Sequence, residues 1–216
     1  MKNVRWGMAE FMSKFPAPID STNFFETIKV ACEKKWQKAT LDTGVWGYQT
    51  QQGTKWKPGL TDIEIKAFEI QLGFTFPPPL KNFYKTMNGT TKPGINIGGV
   101  DQGLPPEYQS KFYSLPGDIG LAVEYINWIY EKTGVAKNTM QREGISRIFP
   151  VYGHRFMLID HPANPILSMY GNDIIYWADS IGELLAMDIF NKSKYFDSDR
   201  AKEIADMGIK FWLDFH

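Results

Sequence analysis

Two runs decide the fold: Phe149-Pro150-Val151-Tyr152-Gly153-His154-Arg155-Phe156-Met157-Leu158-Ile159 and Ile166-Leu167-Ser168-Met169-Tyr170-Gly171-Asn172-Asp173-Ile174-Ile175-Tyr176-Trp177. Branched and aromatic residues in short runs, broken by glycine-bearing turns, are what a pleated sheet accommodates. Residues 147–151 read as a strand, Tyr152-Gly153 as a turn and residues 155–159 as its antiparallel return. Residues 166–170 and 174–177 make a second pair across Gly171-Asn172-Asp173, a tight hairpin signal. This half of the chain therefore predicts a meander of antiparallel strands.

Helices surround the meander. Upstream, Phe24, Phe25, Ile28, Ala31, Cys32 and Trp36 recur at helical spacing, which predicts a helix over 23–38 with Asn23 as N-cap and Glu26 in the capping-box position. Thr61 and Glu64 form a second capping box, ahead of Ile65, Phe68 and Leu72, and Gly73 stands where a left-handed C-terminal residue belongs. Pro77-Pro78-Pro79 opens a third helix carrying Leu80, Phe83, Tyr84 and Met87, because proline is tolerated in the first turn. Residues 40–60 are rich in glycine yet hold Trp46, Tyr48 and Trp56, too aromatic for a free linker. Ile95 and Ile97 alternate as a short strand, and Asp118 begins a fourth helix with Leu121, Ala122, Tyr125, Trp128 and Ile129. Residues 180–190 and 198–210 read as the last two helices. Helices first and strands after define an α+β fold: a mainly antiparallel sheet with helices packed on one face or end.

Composition narrows the function. Lys+Arg and Asp+Glu both total 24, so no global basic footprint speaks for direct nucleic-acid binding. The charge is nonetheless uneven: nine basic against five acidic residues precede Thr61, while residues 156–191 hold Asp160, Asp173, Asp179, Glu183 and Asp188 and no Lys or Arg. A one-sign region can steer a partner of opposite sign, unless folding mixes the segments. Cys32, the single cysteine, excludes an internal disulfide and reads as a buried, inert thiol. The N-terminus lacks the continuous apolar run of a signal peptide, and no stretch reaches a membrane span, so a soluble cytoplasmic protein is expected.

Catalytic and metal signatures are missing. The three histidines, His154, His161 and His216, form no ligand pair, so neither metal nor cofactor is expected. There is no nucleophile elbow and no phosphate-binding glycine loop, and a trio of Ser168, His154 and Asp173 is one any chain of this length offers. Asp160, Asp173 and Asp179 could serve acid–base work, but a hairpin turn and a helix start account for the latter two. His154-Arg155 at a hairpin corner is a possible anion contact, against the plainer reading of an internally paired turn. What remains is a surface. Asp160, Asp173, Asp179 and Glu183, with Tyr170, Tyr176 or Trp177 as anchors, are the candidates for contact with a protein partner, and strand alternation buries about half of those aromatics.

The order of short motifs resembles a known family. Trp56-Lys57-Pro58-Gly59-Leu60, Glu69-Ile70-Gln71-Leu72-Gly73-Phe74, Phe83-Tyr84-Lys85-Thr86-Met87-Asn88-Gly89-Thr90, Ile95-Asn96-Ile97-Gly98-Gly99, Tyr113-Ser114-Leu115-Pro116-Gly117-Asp118 and the two strand runs are similar to the SMI1/KNR4 family of the SUKH superfamily, over roughly 36–190. The resemblance implies one α+β domain over 1–216, with the helix over 23–38 and a helical tail over 192–216 packed on it. It also implies a protein that binds rather than catalyses. Bacterial members are regarded as immunity proteins that bind and block toxins delivered by neighbouring cells, often nucleases, and a fungal branch acts as a regulatory scaffold linked to cell-wall synthesis. For this chain the resemblance implies a toxin-neutralising protein, with an intracellular scaffold binding a host protein as the alternative. A small-ligand protein or enzyme using His154, Arg155 and Asp173 is the remaining alternative. The neutral charge of this chain departs from the acidic character expected of a nuclease-blocking protein.

Overall fold

The structure is a computed structural model that describes residues 5–42, 48–96, 111–192 and 197–214. Among them the order is α1 (Arg5–Met12), α2 (Thr22–Trp36), β1 (Tyr48–Thr50), α3 (Asp62–Leu72), α4 (Pro78–Thr86), β2 (Gly94–Asn96), α5 (Ile119–Thr133), α6 (Lys137–Glu143), β3 (Ile148–Tyr152), β4 (Arg155–Leu158), β5 (Ile166–Tyr170), β6 (Asp173–Ala178), α7 (Ile181–Phe190) and α8 (Ser198–Asp206). The four last strands form one antiparallel sheet in the order β3-β4-β5-β6, and β1 pairs with β2 in a small second sheet. The α+β class and the meander are as the sequence reads. Ile97 and Trp46 lie outside the described residues.

Helices reach both faces of the four-stranded sheet, beyond the one face or end expected. Phe149 and Phe156 occupy adjacent pairs of the β3–β4 register, Phe149 opposite Met157 and Phe156 opposite Pro150, so they point to opposite faces. Phe149 packs against Phe76 and Tyr84 beside α4, whereas Phe156 stacks on Tyr125 of α5. Accordingly β3 to β5 are buried almost throughout, and each large apolar side chain so covered contributes roughly 1.5–3 kcal/mol. The buried side chains run as one continuous cluster from Met8 on α1 to Trp212.

Helix α2 starts earlier than its pattern indicates. Ser21, not Asn23, is the N-cap, with its hydroxyl accepting the Phe24 N–H. The preceding Asp20 sits in the left-handed region (φ 61°), which delivers Ser21 in the extended conformation an N-cap needs. The apolar stripe itself is as expected: Phe24, Phe25, Ile28, Cys32 and Trp36 are buried. Burial pushes the Cys32 thiol far up, which makes it inert. Thr61 and Glu64 close their capping box and Gly73 takes the left-handed C-terminal position. Asp118 precedes α5, but its carboxylate accepts the Ser114 N–H and pairs with Lys111 instead of capping.

The aromatic connection ahead of α3 is structural, as its composition indicates. Trp56 is buried among Trp36, Phe83 and Phe112. Gly59 follows because nothing larger fits: a Cβ there would lie 1.8 Å from the Lys85 carbonyl oxygen. The next join is made by Asn88. Its side-chain amide donates to Leu115 O (2.7 Å) and its oxygen accepts the Leu115 N–H (2.8 Å), which pins residues 111–118 to the end of α4.

Candidate partner-binding site

The sequence-nominated residues fall into separate neighbourhoods. Tyr170 and Asp173 close the β5–β6 hairpin as a register pair, with Gly171 in the left-handed conformation that a two-residue turn requires. Ser168 pairs with Ile175, so Tyr170, Asp173 and Ile175 share a face. Tyr170 is 63% exposed and Ile175 52%. Among the described residues Tyr170 is the one aromatic left mainly in water. It is held edge-on to Trp128 at 5.3 Å and to His154 at 6.3 Å, so it is oriented without being covered.

Tyr176, Asp179 and Glu183 gather at the corner between β6 and α7. The Tyr176 hydroxyl donates to the Asp179 carboxylate, and Glu183 accepts the Asp179 N–H at 3.0 Å. Burial, reinforced by that carboxylate, pushes the Tyr176 phenol well above its ordinary range. Arg200 of α8 closes the corner, donating to Asp179 and, at 3.3 Å, to the Tyr176 hydroxyl, with its guanidinium 5.2 Å from the Tyr176 ring centre.

Arg155 is committed internally. It donates to Ser168 Oγ, pairs with Asp188 on α7 at 3.4 Å, and lies 3.5 Å from the centre of the Trp177 ring. His154 is driven down to about 4, chiefly by burial and then by the Arg155 charge, so it is neutral near pH 7. The pair proposed as an anion contact therefore offers one paired guanidinium and one neutral ring. The Ser168 hydroxyl oxygen is thus the acceptor of the Arg155 guanidinium.

Asp160 stands apart from the rest. Arg147 grips it through Nε (2.8 Å) and Nη2, and this pairing holds the carboxyl below its usual range. Together they border a cleft of roughly 1010 Å³ between the end of α3, α5, α6 and residues 207–212. Its far wall is anchored by Trp212, whose indole donates to Ser146 O at 2.8 Å while its ring stacks with Tyr130. Sequence reasoning did not find this cleft: Phe74, Tyr130, Arg147 and Trp212 come from four distant segments, and no local pattern links them.

The lysine- and arginine-free stretch thus does not make a uniformly acidic face. Asp160, Asp179 and Asp188 each meet an arginine, all three contributed from outside the stretch, Arg155 from its very edge. Among the described residues no group of three or more His, Cys, Asp or Glu is placed to hold a metal, and no helix is long and apolar enough to cross a membrane.

The chain is thus a mixed α+β protein whose four-stranded antiparallel meander ends in an aromatic-tipped hairpin. The SMI1 / KNR4 family (SUKH-1) matches it over residues 59–188, more than half its length, and the chain belongs to that family, which includes immunity proteins. The match starts at Gly59, later than the resemblance read from Trp36, and ends at Asp188, before α8. No curated protein matches the chain.

Proposed function

We propose that this protein is a non-catalytic binding module of the cytoplasm that neutralises a toxin domain by covering its working surface. The observation that carries the reading is Tyr170. It is a rigid aromatic beside Asp173 and Ile175, on a hairpin whose backbone is already set by its turn. Aromatic anchors of this kind supply most of the energy of protein interfaces, and a preformed one loses little entropy on binding. Asp173 offers the partner a carboxylate, and Tyr176, Trp177 and Asp179 extend the contact toward α7, whereas Glu183 is buried and stays out of it. Asp160, paired with Arg147 at the cleft, is left out of this contact.

The test is titration calorimetry against the toxin domain encoded beside the gene. Wild type should bind, and Tyr170→Ala should weaken binding by about tenfold or more, as truncation of an aromatic hot spot does. Binding that is indifferent to Tyr170→Ala would move the interface elsewhere, and no binding to any neighbouring toxin would end the immunity reading.

A further inference from the structure

Helix α8 is held unlike the other helices near it. Ile204 is its single buried residue, and the rest of SDRAKEIAD faces water or makes ion pairs. What ties it to the body is Arg200, inserted at the Tyr176–Asp179 corner with its side chain only 14% exposed and braced by Glu203 at 2.8 Å. Both flanks of α8 are anchored far more firmly. Before it, Ile189 of α7 is buried in the core; after it, Ile209 and Trp212 are buried and Trp212 bonds Ser146. A weakly packed helix between two firm anchors is a strap: it can lift at its middle without the chain end coming free.

The corner under the strap has the parts of an arginine-recognition site. The Asp179 carboxylate takes the guanidinium hydrogen bonds, the Tyr176 ring lies against the cation, and the Tyr176 hydroxyl adds an acceptor. The chain's own Arg200 is the group this corner holds.

We infer that α8 is an autoinhibitory strap: Arg200 occupies, from within, the position that an arginine of a basic protein partner takes when α8 lifts. This rests on the reading that the β6–α7 corner belongs to the partner-binding surface, and it adds the kind of partner and the step that gates it. A partner must displace Arg200, so a lysine-rich surface, lacking the planar fork, would do so poorly.

The probe is a fluorescein-labelled tetra-arginine peptide, followed by anisotropy at low salt against the full-length protein. Arg200→Gln should bind it about tenfold more tightly than wild type. The gain should vanish in Arg200→Gln/Asp179→Asn, and a tetra-lysine peptide should gain far less. Lys202→Gln, which removes the same charge from an exposed position of α8, should leave affinity near wild type. In wild type, saturating tetra-arginine should speed amide exchange across residues 198–206 while circular dichroism stays unchanged. Equal affinity of wild type and Arg200→Gln, an equal gain with lysine or from Lys202→Gln, or continued protection of α8 in the complex would each overturn the strap. A toxin that binds although Arg200→Gln changes nothing would leave the immunity reading standing and remove only this one. A strap that responds as described, with no neighbouring toxin bound, would do the reverse.

Discussion

Asp20 gives the fold a pH dependence of unusual sign for a hydrogen-bonded carboxylate. Its oxygens accept the N–H groups of Ile181 (3.0 Å) and Gly182 (2.7 Å), so a residue far away in sequence caps the start of α7. Such bonds favour the ionised form, but Asp20 is buried, and loss of hydration outweighs them: its carboxyl is raised from 3.8 to about 6. The folded state therefore holds a proton between those values that the unfolded chain has released. Stability from this group rises as pH falls through 6, is complete near 4, and is lost again as pH climbs past 6. A shift of this size corresponds to about 3 kcal/mol. Asp20→Asn removes the titration, tolerates the left-handed backbone, and keeps one acceptor for the helix end. Urea unfolding of both proteins, read by tryptophan fluorescence between pH 7 and pH 4.5, isolates the term as their difference, since all other titrations cancel. Wild type should gain on the variant by about 2 kcal/mol over that range, the part of the full linkage developed by pH 4.5. A difference that is flat with pH, or that shrinks on acidification, would refute the claim that desolvation beats the two hydrogen bonds.

His154 provides the opposite slope. Its folded value near 4 means that acidification from 6.5 must charge a ring held neutral by burial, so stability falls through that window; with part of the ring in water the loss is about 2 kcal/mol, and His154→Gln should remove it in the same titration. Gly59→Ala should cost at least about 3 kcal/mol in urea unfolding, because its Cβ would sit 1.8 Å from the backbone oxygen of Lys85 and no side-chain rotation can clear it. Trp212→Ala should lower stability by about 3–5 kcal/mol and expose the amides around Ser146 to hydrogen exchange, since it empties a fully buried site and orphans a carbonyl; a loss below about 1 kcal/mol would mean the segment after α8 is not anchored there.

What was legible in the sequence, and what was not, divides along the reach of the interactions. The capping box of α3, the proline-opened α4 and the two hairpins are specified by neighbours within a few residues, and all stand where their patterns place them. Helices α1 and α6 were missed because each is short, eight and seven residues; α1 is set by Met8 and Phe11 meeting the core, the latter against Phe190. The start of α2 was misplaced between two local cap candidates, Ser21 and Asn23, and the contact of Asp20 with α7 that accompanies the Ser21 start lies beyond any window of local reading. The acidic stretch misled for the same reason: its arginine partners come from 147 and 200, outside it, and only Arg155 sits beside it.

The motifs that carry the family resemblance have a bearing on where function can sit. Gly59 lets one backbone press on another, Asn88 ties Leu115 at both its donor and its acceptor, and Gly89 in its left-handed turn leaves no room for a Cβ beside Ser114. Asp118 holds Lys111 and the Ser114 N–H. Each of these residues is consumed by a join between segments, and none projects a free reactive group. A pattern made of joints specifies a scaffold and leaves its contact surfaces open to choice. On the reading proposed above, recognition falls to residues such as Tyr170 and Ile175, whose exposed side chains these joints do not need.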